Sequence, residues 1–93
     1  MPVTADVAFD ISAPCKLSEA VSLRDEAFGA LAYHHLTRRL VFLKSRELVA
    51  LVRALGDYDR ADHALHAMID SSERVRYAKA LAGLFSSEII CGR

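Results

Sequence analysis

The sequence predicts an α+β fold in the order βββααα: a three-stranded antiparallel sheet followed by three helices. Three observations carry this. Between residues 19 and 44, apolar and polar residues alternate with the period of half-buried strands. After Lys44 the apolar spacing changes to i, i+3, i+4, i+7, which is the period of an amphipathic helix. The breaks between the first three segments are only a few residues long, whereas parallel strands need crossovers of a dozen or more.

Each element has its own signal. Val21 and Leu23 alternate with Ser22 and Arg24, and Asp25-Glu26-Ala27 breaks the run. Gly29 to His35 places Leu31 and Tyr33 on one face and Ala30, Ala32 and His34 on the other. Leu36-Thr37 is the expected turn, without the Asn-Gly chemistry that usually marks a hairpin. Arg39 to Leu43 forms the third strand, with Leu40 and Phe42 on one face and Arg39, Val41 and Leu43 on the other. Ser45 is the expected N-cap of the first helix, which carries Leu48, Leu51, Val52 and Leu55 and ends at Gly56. Asp59 is the expected cap of the second helix, whose apolar side is Ala61, Ala64, Leu65 and Met68. Ser71 or Ser72 is expected to cap the third, with Val75, Ala78, Leu81, Ala82 and Phe85 as its buried stripe. Residues 1–18, broken by Pro2 and Pro14, are expected to form an N-terminal arm, with Val7 to Ile11 as a possible short strand. The organisation is then one domain over residues 1–93: arm 1–18, sheet 19–44 and helices 45–88.

Composition narrows the function. The 93 residues are 53% hydrophobic and carry 12 Lys+Arg against 12 Asp+Glu. A zero net charge counts against a protein whose main task is wrapping nucleic acid. No apolar run approaches a membrane span. Cys15 and Cys91 form no CxxC pair and suit a reducing cytoplasmic compartment. His63 and His66 share a helix face, but no further ligands converge on them, so no metal is expected. No nucleophile–base pair, GxGxxG or P-loop is present, so neither a cofactor nor catalysis is expected.

Two basic groups remain: Arg38, Arg39 and Lys44 around the third strand, and Arg74, Arg76 and Lys79 on the third helix. They read either as solvated charges that protect a sheet edge or as the borders of a peptide groove. An extended peptide can join an exposed edge as one more strand, with main-chain hydrogen bonds for affinity and side-chain pockets for selection.

The stretches Phe28-Gly29-Ala30-Leu31-Ala32-Tyr33-His34-His35 and Thr37-Arg38-Arg39-Leu40-Val41-Phe42-Leu43-Lys44-Ser45 resemble the mycofactocin peptide chaperone family. The resemblance is good over residues 7–56 and one of helix pattern over 57–88. That family is similar to the quinone-cofactor peptide chaperones and to other recognition elements for ribosomally made, modified peptides. The resemblance implies a winged-helix-like fold that binds the mycofactocin precursor peptide and presents it to a radical-SAM maturase. It implies that the peptide lies as a fourth strand along the third, at Arg38, Arg39, Leu40, Val41, Phe42 and Leu43. The third helix would close the cleft, with Arg76, Tyr77, Lys79, Ala80 and Leu84 as its groove face. The sequence departs from the family pattern at Leu36, where Gly or Asn is usual, and at Asp25 and Ala27, where prolines are common. The alternative on a similar fold is a winged-helix DNA-binding protein. Against it stand the neutral charge and a second helix whose Arg60 is opposed by Asp62 and Asp70. A third possibility is an enzyme subunit, inactive alone, that only scaffolds its partner.

Overall fold

A computed structural model describes residues 9–93. The elements run β1 (Cys15–Leu17), β2 (Val21–Glu26), β3 (Gly29–His34), β4 (Leu40–Leu43), α1 (Arg46–Ala54), a 3-10 turn (Leu55–Asp57), α2 (Ala61–Met68), a second 3-10 turn (Ser71–Glu73), α3 (Arg74–Ser86) and β5 (Ile90–Gly92). The three-stranded antiparallel sheet has the order β2-β3-β4. Its register aligns Val21 with His34 and Leu23 with Ala32, then Ala32 with Val41 and Ala30 with Leu43.

Strand alternation decides which face is buried. Ala30, Ala32 and Leu43 are fully buried on the helix side, and the helices supply Leu51, Val52, Leu55 and Leu81 against them. The small residues of β3 let the helices approach the sheet closely. His34 completes this inner face, and its Nδ1 accepts the N–H groups of Leu36 and Thr37, both at 3.2 Å. The hairpin turn therefore depends on a buried imidazole acceptor in place of the missing Asn-Gly pair. The chain leaves that turn through Arg38 at φ 67, a left-handed conformation unusual for a side chain of this kind.

Gly29 is required where β3 starts. Its φ is 152, and a Cβ there would lie 2.1 Å from the Leu43 carbonyl oxygen and 3.0 Å from the Ser45 nitrogen. The backbone of the β4–α1 junction thus passes directly over the glycine.

Several expectations change. The residues expected as an N-terminal arm include β1, which pairs antiparallel with β5 in a second, two-stranded sheet. Of the possible strand at Val7 to Ile11, residues 7 and 8 lie outside the described residues, and the chain turns at Ile11 and Ser12 instead. The β1–β5 register pairs Cys15 with Gly92 and Lys16 with Cys91, so the two thiols project from opposite faces of the ribbon and both are free. Burial pushes the Cys15 thiol pKa up.

Ser45 caps α1 as expected, accepting the Leu48 N–H at 3.0 Å. Asp59 does not cap α2. The N-cap is Arg60, and the first free N–H groups go to the carbonyls of Ala13 (from Ala61, 3.3 Å) and Ile11 (from Asp62, 2.9 Å). The segment before β1 does the capping that a side chain was expected to do. Neither Ser71 nor Ser72 caps α3: its N-cap is Glu73, with no side-chain cap bond, and Asp70 caps the 3-10 turn before it, its carboxylate taking the Ser72 N–H at 3.1 Å. The buried residues of α3 are Tyr77, Leu81 and Leu84, while Val75, expected in the stripe, is 71% exposed.

Candidate functional site

The outer edge of β4 carries no partner strand among the described residues. Which of its backbone groups are open follows from the register. The His34 N–H donates to the Arg39 carbonyl at 2.9 Å. In an antiparallel pair, successive residues direct their N–H and C=O to alternate sides. Arg39, Val41 and Leu43 therefore face β3, opposite His34, Ala32 and Ala30. Leu40 and Phe42 direct both backbone groups outward. The free edge offers two donors and two acceptors in an unbulged run of four residues.

Immediately after β4, Lys44, Ser45 and Leu48 face Arg76, Tyr77 and Ala80 of α3 across a pocket of about 120 Å³. Tyr77 builds its floor. Its ring is buried, and its hydroxyl donates to Glu47 Oε1 at 3.1 Å. That bond uses the single phenolic proton, so the Ser45 hydroxyl, 3.0 Å away, donates to the Tyr77 oxygen. Ser45 thus caps α1 with its lone pairs and ties α1 to α3 with its proton. The Arg76 guanidinium lies 5.2 Å from the Tyr77 ring centroid and is held by Glu73, whose hydrogen bond raises the Arg76 pKa further.

The residues singled out from the sequence fall into three groups. Arg38, Arg39, Leu40 and Phe42 are exposed along β4 and its entry, with Val41 half-buried behind them. Arg76, Tyr77 and Ala80 line the pocket, and Lys79 is exposed one residue away on α3. Leu43 and Leu84, at 0% and 5% exposure, belong to the core and present no groove surface in this conformation. Sequence reasoning missed Ser45 and Leu48 as pocket residues, and Glu47 as the acceptor that holds the Tyr77 hydroxyl. Its role as a cap accounts for Ser45 locally, and nothing in the local pattern shows that Tyr77 crosses to meet it. Arg38, Arg39, Lys44 and Lys79, around the site, form no salt bridge among the described residues.

A second hollow, about 380 Å³, lies between the β2–β3 turn and α1, but two of its charges are already joined, Arg53 to Asp25 at 3.1 Å. Among the described residues, no group of three or more His, Cys, Asp and Glu is placed to hold a metal ion. No described helix is long and apolar enough to cross a membrane.

A family model described as the peptide chaperone MftB family matches residues 14–91. The chain belongs to that family. The matched span begins just before β1 and ends inside β5, so the terminal ribbon lies within the region the family model describes. The peptide chaperone MftB of Mycobacterium ulcerans (strain Agy99) is 42% identical over 89% of this chain and 77% of its own length. The one from Mycolicibacterium smegmatis (strain ATCC 700084 / mc(2)155) is 37% identical over 95% of this chain and 87% of its own. The one from Mycobacterium tuberculosis (strain ATCC 25618 / H37Rv) is 38% identical over 91% and 79%. No solved structure matches the chain.

Proposed function

We propose that the chain is a non-catalytic, cytoplasmic peptide chaperone, a single peptide-recognition domain. In this reading it holds the mycofactocin precursor peptide as an added strand along β4 and presents it to a radical-SAM maturase. The observation that carries the reading is the β4 edge, open among the described residues, with Leu40 and Phe42 directing their backbone groups outward and the edge leading into the Lys44–Ala80 pocket. Backbone pairing supplies affinity to any extended chain, and a pocket at one end fixes its register. Family membership supports the role, since the similar proteins are named peptide chaperones.

The exposed cations Arg38, Arg39, Lys44 and Lys79 would steer an acidic peptide to the edge and speed its capture. The chain would contribute no reacting group. Its contribution would be to hold an otherwise flexible substrate extended, so that part of the ordering entropy is lost before the maturase engages.

The test is the reconstituted maturase acting on its precursor peptide with and without this chain. Modification is expected to require it. Equal turnover in both arms would remove the chaperone reading.

A further inference from the structure

The two residues whose backbone groups face the open edge also carry exposed apolar side chains: Leu40 is 56% and Phe42 55% exposed. Edge strands ordinarily protect themselves with charge, proline or a bulge. Here the central part of the edge has none of these, and the charges stand only at its ends, Arg38 and Arg39 before it and Lys44 after it. The exposed side chains are not isolated. The Phe28 and Phe42 rings lie 5.7 Å apart, and the register sets Leu31 beside Phe42 and Tyr33 beside Leu40 on the same outer face. The result is an apolar strip two strands deep, on the side of the sheet away from the helices, ending at the open edge.

We infer that the segment joining β4 is an extended peptide with apolar side chains at two alternate positions, i and i+2, which cover Leu40 and Phe42 on the outer face of the sheet. The inference rests on the reading of β4 as the receiving strand. Residues paired across two strands share a face. A peptide residue set opposite Leu40 therefore points its side chain to the outer face, and so does the residue set opposite Phe42. The residue between them points to the helix side. Pairing and side-chain recognition thus meet at the same two residues, and the outer strip sets the parity of the peptide as well as its composition. A second copy of this chain fits the edge poorly. At full overlap an antiparallel pairing would set Arg38 of each copy against Lys44 of the other, and a parallel pairing would set each of Arg38, Arg39 and Lys44 against itself.

The experiment uses the full chain and synthetic precursor peptide. Amide exchange of the complex first reports whether the Leu40 and Phe42 N–H groups become protected. Two peptide versions are then titrated, each with the apolar residues of the bound segment replaced by serine at one parity only. Both are titrated into wild type and into Leu40→Thr and Phe42→Thr, which keep the β-prone backbone. Circular dichroism confirms folding.

One parity is expected to lose binding by about tenfold or more, the scale of two apolar side chains returned to water. In the Phe42→Thr background that loss should shrink, because the two changes remove one contact. The other parity should show the same loss in both backgrounds. Protected amides with no coupling between either parity and the two threonine variants would overturn the outer-face inference and leave strand addition standing. If the peptide binds without protecting the Leu40 and Phe42 amides, strand addition at β4 fails, and this inference with it.

Discussion

At the scale of single residues, Gly29 holds the sheet against the start of α1. The backbone of Leu43 to Ser45 crosses at a distance that leaves no room for a Cβ. Gly29→Ala adds both a strained φ and a backbone clash, and neither can be relieved by rotating a side chain. The expected cost is about 2–4 kcal/mol, read as a shift of the urea midpoint. Because the clash falls where β4 meets the pocket, any folded fraction should also bind peptide more weakly. The His34 imidazole shows a different dependence. It is an acceptor for two turn N–H groups rather than a ligand or a base. The sequence marks it only as an inward position on a strand. Its task lies outside that pattern, because the two N–H groups it accepts belong to turn residues beyond the strand.

At the scale of elements, β4 gains its character from what surrounds it. Its pattern was legible: Leu40 and Phe42 alternate with Val41 and Leu43, and the structure exposes the first pair and turns the second toward the core. The opposite end of the site was less legible. The α3 stripe was expected through Val75, Ala78, Leu81, Ala82 and Phe85; Leu81 is buried as expected, but the residues buried with it are Tyr77 and Leu84. Periodicity treats tyrosine as half polar, and it cannot register that the hydroxyl is satisfied by Ser45 and Glu47 thirty residues away. The same long-range pairing explains why Leu84, one turn and more beyond Ala80, points into the core. The exposed cations on these two elements can be tested together. Arg39→Glu on the β4 side and Lys79→Glu on α3 should each weaken calorimetric binding of an acidic precursor peptide by about tenfold at low salt, and less at high salt. Unchanged affinity in both folded variants would remove the charge contribution.

At the scale of the whole molecule, the ribbon of β1 and β5 ties the two ends of the matched region together. No sequence pattern announced it, because three-residue strands are too short to show a period and their partners lie more than seventy residues apart. It is nevertheless part of the core. Ile89 and Ile90 are buried to 0% and 1% exposure, and Arg93 Nη1 donates to the carbonyls of Gly56 at 2.6 Å and Tyr58 at 3.0 Å. Ile90→Ala should therefore destabilise the fold by about 2–4 kcal/mol in chemical denaturation, a core-sized loss from a residue in a three-residue strand.

The chain contains no tryptophan and three tyrosines, and one of those sits with its hydroxyl against the Glu47 carboxylate at the pocket floor. A phenol hydrogen-bonded to a carboxylate is a weak emitter, since the acceptor competes for the proton of the excited state. Any occupant that displaces Glu47 or seals the pocket from water should change the tyrosine emission. The molecule therefore carries its own optical reporter. Peptide titrated into wild type should give a saturable fluorescence change, and Tyr77→Phe should remove the part that reports on the pocket, leaving only what arises at Tyr33, beside Leu40 on the outer face.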